Sequence, residues 1–306
     1  MQVPLRGRGG RPSQAAVAVL TDALQLVLNG AMEGAVLALP AIGFSAVYAV
    51  LRFANFAVGS VATIGAFAGW MANTMLGWPV APSLLVAFVV AGLVGVLGDE
   101  AVLRPLRPSG SLTVAIASVA LAIILENLVR FWFGNDPRGF NLPVYRDWRW
   151  LGLHLGPQQV RDAAAALIAM AALFSFLAFT RAGKAMRAVA DNPTLASLKG
   201  IDAVRIGRTA TFVGLGLVGF GGMLIALDTQ VDPLTGFRVL LSVFAAAVVG
   251  GLGSIPGAVF GAFLIGIGQE MSLLVLPATY RSAVGFLAIL LTLSFRPAGL
   301  FGQRAA

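Results

Sequence analysis

Five carboxylates stand inside or beside apolar runs: Glu33, Asp99, Glu100, Glu126 and Glu270. Groups of this kind relay protons or hold sodium when several converge on one point at membrane depth, and here they are scattered along the sequence. Scatter in sequence is not scatter in space, so an ion-coupled carrier stays among the readings. Glu126 and Arg130, four apart on one helical face, read instead as a pair that neutralises itself near the end of a span. The single His154 lies in a polar loop, where solvation explains it better than metal binding, which needs several ligands. There is no cysteine, which excludes disulfides, thiol chemistry and thiolate metal sites. The sequence also has no Gly-x-x-x-x-Gly-Lys-Ser/Thr loop, no zinc-protease helix and no Gly-x-Ser-x-Gly elbow. The chain therefore reads as neither an enzyme nor the holder of a cofactor or metal. Any ATP, with its Mg, is expected on other subunits.

The elements around these residues are those of a membrane protein. Of 306 residues, 58% are hydrophobic and 11% charged, and the mean hydropathy is +0.88. A soluble domain carries roughly a quarter of its residues as charges. Apolar runs of about 20 residues recur, each long enough to cross a hydrocarbon core as helix. Short alternating strands, the mark of a membrane barrel, are not the pattern. The fold class expected is an all-α polytopic membrane protein of eight or nine transmembrane segments, at least one of them broken or short. The net charge of +8 does not mean nucleic acid, because the basic residues sit at the ends of apolar runs, where they orient the chain and meet lipid headgroups. Residues 1–20 read as a basic tail, disordered over Met1–Gln14. Residues 21–302 form the membrane domain, with an external loop at 134–161 holding Tyr145, Trp148 and Trp150, and 303–306 close the chain.

One polar island, residues 181–208, separates two of these runs. It carries Arg181, Lys184, Arg187, Lys199, Arg205 and Arg208 against Asp191 and Asp202, so it lies in the cytoplasm. Inside it a short helix is specified at both ends: Asn192 suits the N-cap, Pro193 the first turn, and Gly200 the left-handed residue that closes it. Leu195 and Leu198, with Ile201 just beyond, form a small apolar ridge. The ridge packs back on its own domain or docks on another chain, and spacing alone does not choose.

Two further breaks interrupt apolar sequence. Arg52–Gly59 (RFANFAVG) reads as a turn at the interface or as backbone lining a cavity. Gly250–Gly257 (GGLGSIPG) cannot continue one helix, and reads as a hairpin between short spans or as a discontinuous helix beside a transport path. Candidate path residues at these breaks are Asn55, Ser60, Gly250, Gly251, Gly253 and Ser254, where backbone groups are left free.

Several motifs, in order, resemble the inner-membrane permeases of branched-chain amino acid ABC importers. They are Leu51-Arg52-Phe53-Ala54-Asn55-Phe56-Ala57, Arg104-Pro105-Leu106-Arg107, Phe133-Gly134-Asn135-Asp136-Pro137-Arg138, Leu198-Lys199-Gly200-Ile201-Asp202, the run Gly250 to Ala258, and Phe295 to Gly302. The resemblance implies one half of a heterodimer with a second homologous permease, two cytoplasmic ATPase subunits, a periplasmic solute-binding protein, and a place in the bacterial inner membrane as a multi-pass chain. It also identifies the helix at Asn192–Gly200 with the coupling helix that such permeases present to their ATPases. Val58 and Ser60 stand where the family usually has a histidine and an acidic residue, and Glu33 where it has a small or neutral one, which leaves branched-chain amino acids, urea and short amides all open as solute.

Overall fold

The computed structural model describes residues 12–143, 148–150 and 153–302. Most of the expected tail at Met1–Gln14, Tyr145 in the external loop and the end at 303–306 lie outside the described residues. Helix α1 (Pro12–Leu51) already takes in Pro12, Ser13 and Gln14. It is followed by α2 (Val58–Thr74) and α3 (Val80–Gly98). A π turn at Asp99–Leu103, a single helical turn α4 (Arg104–Leu106) and a 3₁₀ turn at Arg107–Ser109 extend α3. These irregular turns coincide with Pro105 and Pro108, which have no N–H to continue the helix ladder. Next comes α5 (Ser111–Phe133), then a two-stranded antiparallel ribbon of β1 (Trp148–Trp150) and β2 (Leu153–Leu155). The remaining helices are α6 (Pro157–Phe179), α7 (Arg181–Asp191), α8 (Pro193–Leu198), α9 (Ala203–Asp228), α10 (Thr235–Gly250), α11 (Ile255–Ser272) and α12 (Arg281–Phe295).

Six helical stretches are long and apolar enough to cross a membrane: Thr21–Leu51, Val80–Ser109, Ser111–Phe133, Pro157–Phe179, Ala203–Asp228 and Ile255–Ser272, with α10 and α12 shorter. The all-α class holds, and the two-stranded ribbon is an addition to it. Its register sets Arg149 opposite His154, and each three-residue strand alternates apolar, polar, apolar (Trp148-Arg149-Trp150 and Leu153-His154-Leu155). Gln25 of α1 anchors it: its side-chain amide donates to the His154 carbonyl at 2.7 Å, and the His154 N–H donates to its oxygen at 2.8 Å.

The core is built on α1 and α9, which cross at Gly43 and Gly214. A Cβ on Gly43 would stand 2.2 Å from the Gly214 carbonyl oxygen, so only glycine allows this approach. Helices α2 and α3 pack on α9, and α11 packs along α1. Towards lipid the helices show leucine, isoleucine and phenylalanine, as at Ile123, Ile124 and Phe131 of α5 and Phe286, Leu287 and Leu290 of α12. Of the two alternatives for Gly250–Gly257, the structure has the hairpin. Gly251 and Gly253, with φ of +105° and +86°, turn the chain from α10 into α11, and the Ser254 hydroxyl caps α11 by accepting from the Gly257 N–H at 3.2 Å.

Candidate functional site

The polar island folds as α7, α8 and the first turns of α9, together at one end of the bundle. The Asn192 side chain accepts from the Leu195 N–H at 2.9 Å, and Pro193 begins α8. At the other end the Gly200 N–H donates to the Ser197 carbonyl at 3.0 Å and the Ile201 N–H to the Ala196 carbonyl at 3.1 Å, with Gly200 at φ +83°. This is the paired-bond closure that a left-handed glycine permits. Only Ala196 of α8 is buried, at 4% exposure; Leu195 is 54% and Leu198 79% exposed, and Ile201 is half-buried. The apolar ridge is therefore uncovered within this chain.

Helix α7 holds α8 in place. Gly183, Met186 and Val189 face the bundle, while Arg181, Lys184 and Arg187 are exposed. The three-residue spacing of Gly183, Met186 and Val189 keeps them on one side of the helix, which packs on α1, α6 and α9. Its last carbonyls have no helical partner, and that of Ala190 accepts from the Arg52 guanidinium of the α1–α2 loop. Arg52 is the one non-glycine residue with positive φ, +59°, among the described residues. Beyond it the loop is fastened to α5: Phe53 is buried among Leu103, Val114 and Leu121, the Phe56 N–H donates to the Ser118 hydroxyl at 2.9 Å, and the Ser60 hydroxyl donates to the Ala122 carbonyl at 2.8 Å. Asn55, 3% exposed, accepts from the Ala57 N–H at 3.0 Å.

The glycine turn lies at the same end. A cavity of about 250 Å³ brings Tyr48 and Arg52 together with Ala190, Asp191, Gly253 and Ser254. The carbonyls of Val249 and Gly250 accept from the Leu300 and Phe301 N–H groups, both at 2.9 Å, so the C-terminal segment occupies backbone that the end of α10 leaves open. Gly251 is in contact with Gly299 and Gly302 of that segment. Of the six candidate path residues, Gly253 and Ser254 line the cavity; Asn55 and Ser60 are buried with partners of their own, and Gly250 and Gly251 are joined to the C-terminal segment.

The scattered carboxylates all find arginines. Arg281, opening α12, bridges Glu33 of α1 and Glu270 of α11. These three line a cavity of about 230 Å³ at the end of α9 away from the polar island, with Asn29, Asp228 and Gln269, the last donating to the Ser242 hydroxyl at 2.8 Å. The other pairs lie elsewhere. Asp99 accepts from Arg107 at 2.6 Å, Glu100 pairs with Arg104 at 3.2 Å and with Arg208, and Glu126 accepts from Arg130 at 2.6 Å. Glu33 and Glu270 thus converge and Asp99, Glu100 and Glu126 do not. Sequence reasoning missed Asp228, Gln269 and the bridging role of Arg281. An arginine at the head of an apolar helix and a glutamate inside a run of small residues each imply a buried counter-charge, and that was the available signal.

A glycine-crossed bundle with six helices long and apolar enough to cross a membrane, carrying an exposed, doubly capped short helix at one end, defines a polytopic α-helical membrane protein. The family model for the permease component of branched-chain amino acid transport systems matches residues 26–293. The high-affinity branched-chain amino acid transport system permease protein LivH of Escherichia coli K12 is 32% identical over 296 residues, covering 92% of this chain and 96% of that protein. BraD of Pseudomonas aeruginosa, described in the same words, is 30% identical with the same coverage. A probable branched-chain amino acid transport permease, LivH of Methanocaldococcus jannaschii, is 26% identical over 303 residues, covering 91% of this chain and 92% of that one. The chain belongs to the family of branched-chain amino acid transport permeases.

Proposed function

We propose that this chain is the membrane-spanning permease subunit of an ATP-driven importer, and that it moves branched-chain or other hydrophobic amino acids across the bacterial inner membrane by alternating access. The observation that carries the reading, beyond the family, is α8: a helix capped at both ends whose Leu195 and Leu198 are uncovered at the cytoplasmic face. An apolar ridge of this size on a polar loop is stable as a contact surface for another protein. Its occupant in this reading is a cytoplasmic ATPase, one of two, with a second homologous permease beside this chain and a periplasmic binding protein opposite. Closure of the ATPases would move α8 and tilt the spans as rigid bodies.

The six long helices, with α2, α10 and α12, support nine crossings, the upper of the two expected counts, which would put the start of α1 outside and the end of α12 inside. For the path, the proposal narrows to the external cavity at Asp228 and Gln269 and the cytoplasmic cavity at Gly253 and Ser254. Asn55, Ser60, Gly250 and Gly251 line neither cavity.

The test is uptake of leucine by vesicles carrying the complete complex. Uptake that requires ATP, the ATPases and the binding protein supports the reading. Uptake by the purified chain alone under an imposed ion gradient would show instead a secondary carrier.

A further inference from the structure

We infer that Arg52 is the residue through which the docking arm moves the spanning helices, a positioning residue whose guanidinium joins α7 to the α1–α2 loop. The inference rests on the importer reading, since it concerns how that machine transmits force.

Three observations meet at this side chain. Arg52 has φ +59°, a left-handed conformation that a residue with a Cβ adopts only when its surroundings impose it. Its guanidinium donates to the carbonyl of Ala190, across 138 residues of sequence. That carbonyl belongs to the last turn of α7, where unmatched C=O groups and the negative end of the helix dipole favour a cation. Two residues further on, Asn192 caps α8, so the bonded carbonyl sits at the root of the docking ridge.

What lies beyond Arg52 decides the direction of transmission. The loop does not swing free, because Phe53 is buried against Leu103, Val114 and Leu121 and Phe56 is hydrogen-bonded to Ser118 of α5. Arg52 itself follows directly on α1, and its N–H completes that helix by donating to the Tyr48 carbonyl at 2.8 Å. A pull on α7 therefore reaches α1, α2 and α5 through one side chain. Apolar packing of α7 on α1 and α6 can slide; a charged hydrogen bond to a carbonyl has a fixed length and direction. The left-handed backbone aims Arg52 at α7 and keeps the loop from relaxing into a continuous helix.

The variants that separate this role from a structural one are Arg52→Asn and Arg52→Gly, which keep the left-handed backbone and lose the reach, and Arg52→Lys, which keeps a donor. In the complete complex in vesicles, Asn and Gly are expected to assemble and to hydrolyse ATP within about twofold of the native rate, while leucine uptake per ATP falls about tenfold. Lys recovers part of that ratio. A native ratio in Asn and Gly would overturn the inference. If either variant fails to assemble, Arg52→Cys with Asp191→Cys gives the answer, because the chain has no other cysteine. Joining the two thiols with a short bifunctional linker restores the ratio lost in the unlinked pair, and a linked complex that stays uncoupled counts against the strut. Native complex without ATP-driven uptake in the same vesicles would instead defeat the importer reading itself, a separate failure.

Discussion

Replacing Leu195 by aspartate separates docking from folding. The side chain is 54% exposed in this chain and no buried cluster includes it. The substitution should therefore change the stability of the permease by no more than about 0.5 kcal/mol. The cap survives as well, because Asn192 bonds the backbone of residue 195 and not its side chain. Against a partner the arithmetic differs. Covering the exposed part of a leucine contributes about 1.5 kcal/mol, and forcing an unpaired carboxylate into the same groove roughly doubles the loss. A total near 3 kcal/mol lowers ATPase affinity by about a hundredfold. The assay is co-purification of the ATPases with the Leu195→Asp permease, together with thermal unfolding of the permease alone and uptake by the reconstituted complex. The expected result is an unchanged unfolding temperature, loss of the ATPases at ordinary washing concentrations, and no uptake. Native affinity in a folded Leu195→Asp chain refutes the docking argument. Loss of stability in the isolated permease would show that the ridge packs on its own bundle.

Four other changes carry definite expectations. Arg281→Gln leaves the carboxylate of Glu270, only 8% exposed, facing Glu33 without its cation, and should destabilise by about 3 kcal/mol, read as a fall in unfolding temperature that Glu270→Gln in the same chain partly reverses. Gly43→Val places atoms where the Gly214 carbonyl stands and should prevent the α1–α9 crossing, seen as loss of folded, extractable protein. Asn192→Ala removes one cap and should cost about 1 kcal/mol of α8 order, weakening ATPase binding less than Leu195→Asp does. Gly253→Phe combines a φ of +86° with a bulky group at the cytoplasmic cavity; inserted protein that no longer transports supports a path there, whereas native uptake with slight destabilisation reduces Gly253 to a turn.

Local chemistry made the short helix α8 legible in the sequence. An asparagine, a proline and a glycine at fixed offsets set the two ends of α8, and neither end depends on distant residues. The membrane class followed from composition. Longer-range features were not legible in this way. The choice between hairpin and discontinuous helix at Gly250–Gly257 depends on Leu300 and Phe301, whose N–H groups arrive from some fifty residues away to take the Val249 and Gly250 carbonyls. Arg281 could be seen only as the head of a last span, because its two carboxylates come from α1 and α11. The ribbon's strands alternate apolar and polar residues but are only three residues long, too short a pattern to announce a strand, and the side chain that anchors it, Gln25, lies on the first helix. In each case a contact across helices decided the outcome, and no local pattern encodes such a contact.

The central claim is that an external motor grips this bundle at α8. With no cysteine in the native chain, Leu198→Cys gives a single thiol at the most exposed position of the ridge. Its rate of labelling by a membrane-impermeant maleimide, measured in vesicles of either orientation with and without the ATPases, tests the claim directly. The account predicts rapid labelling from the cytoplasmic side alone and strong protection when the ATPases are bound. Labelling from the external side, or an unchanged rate with the ATPases present, would contradict it.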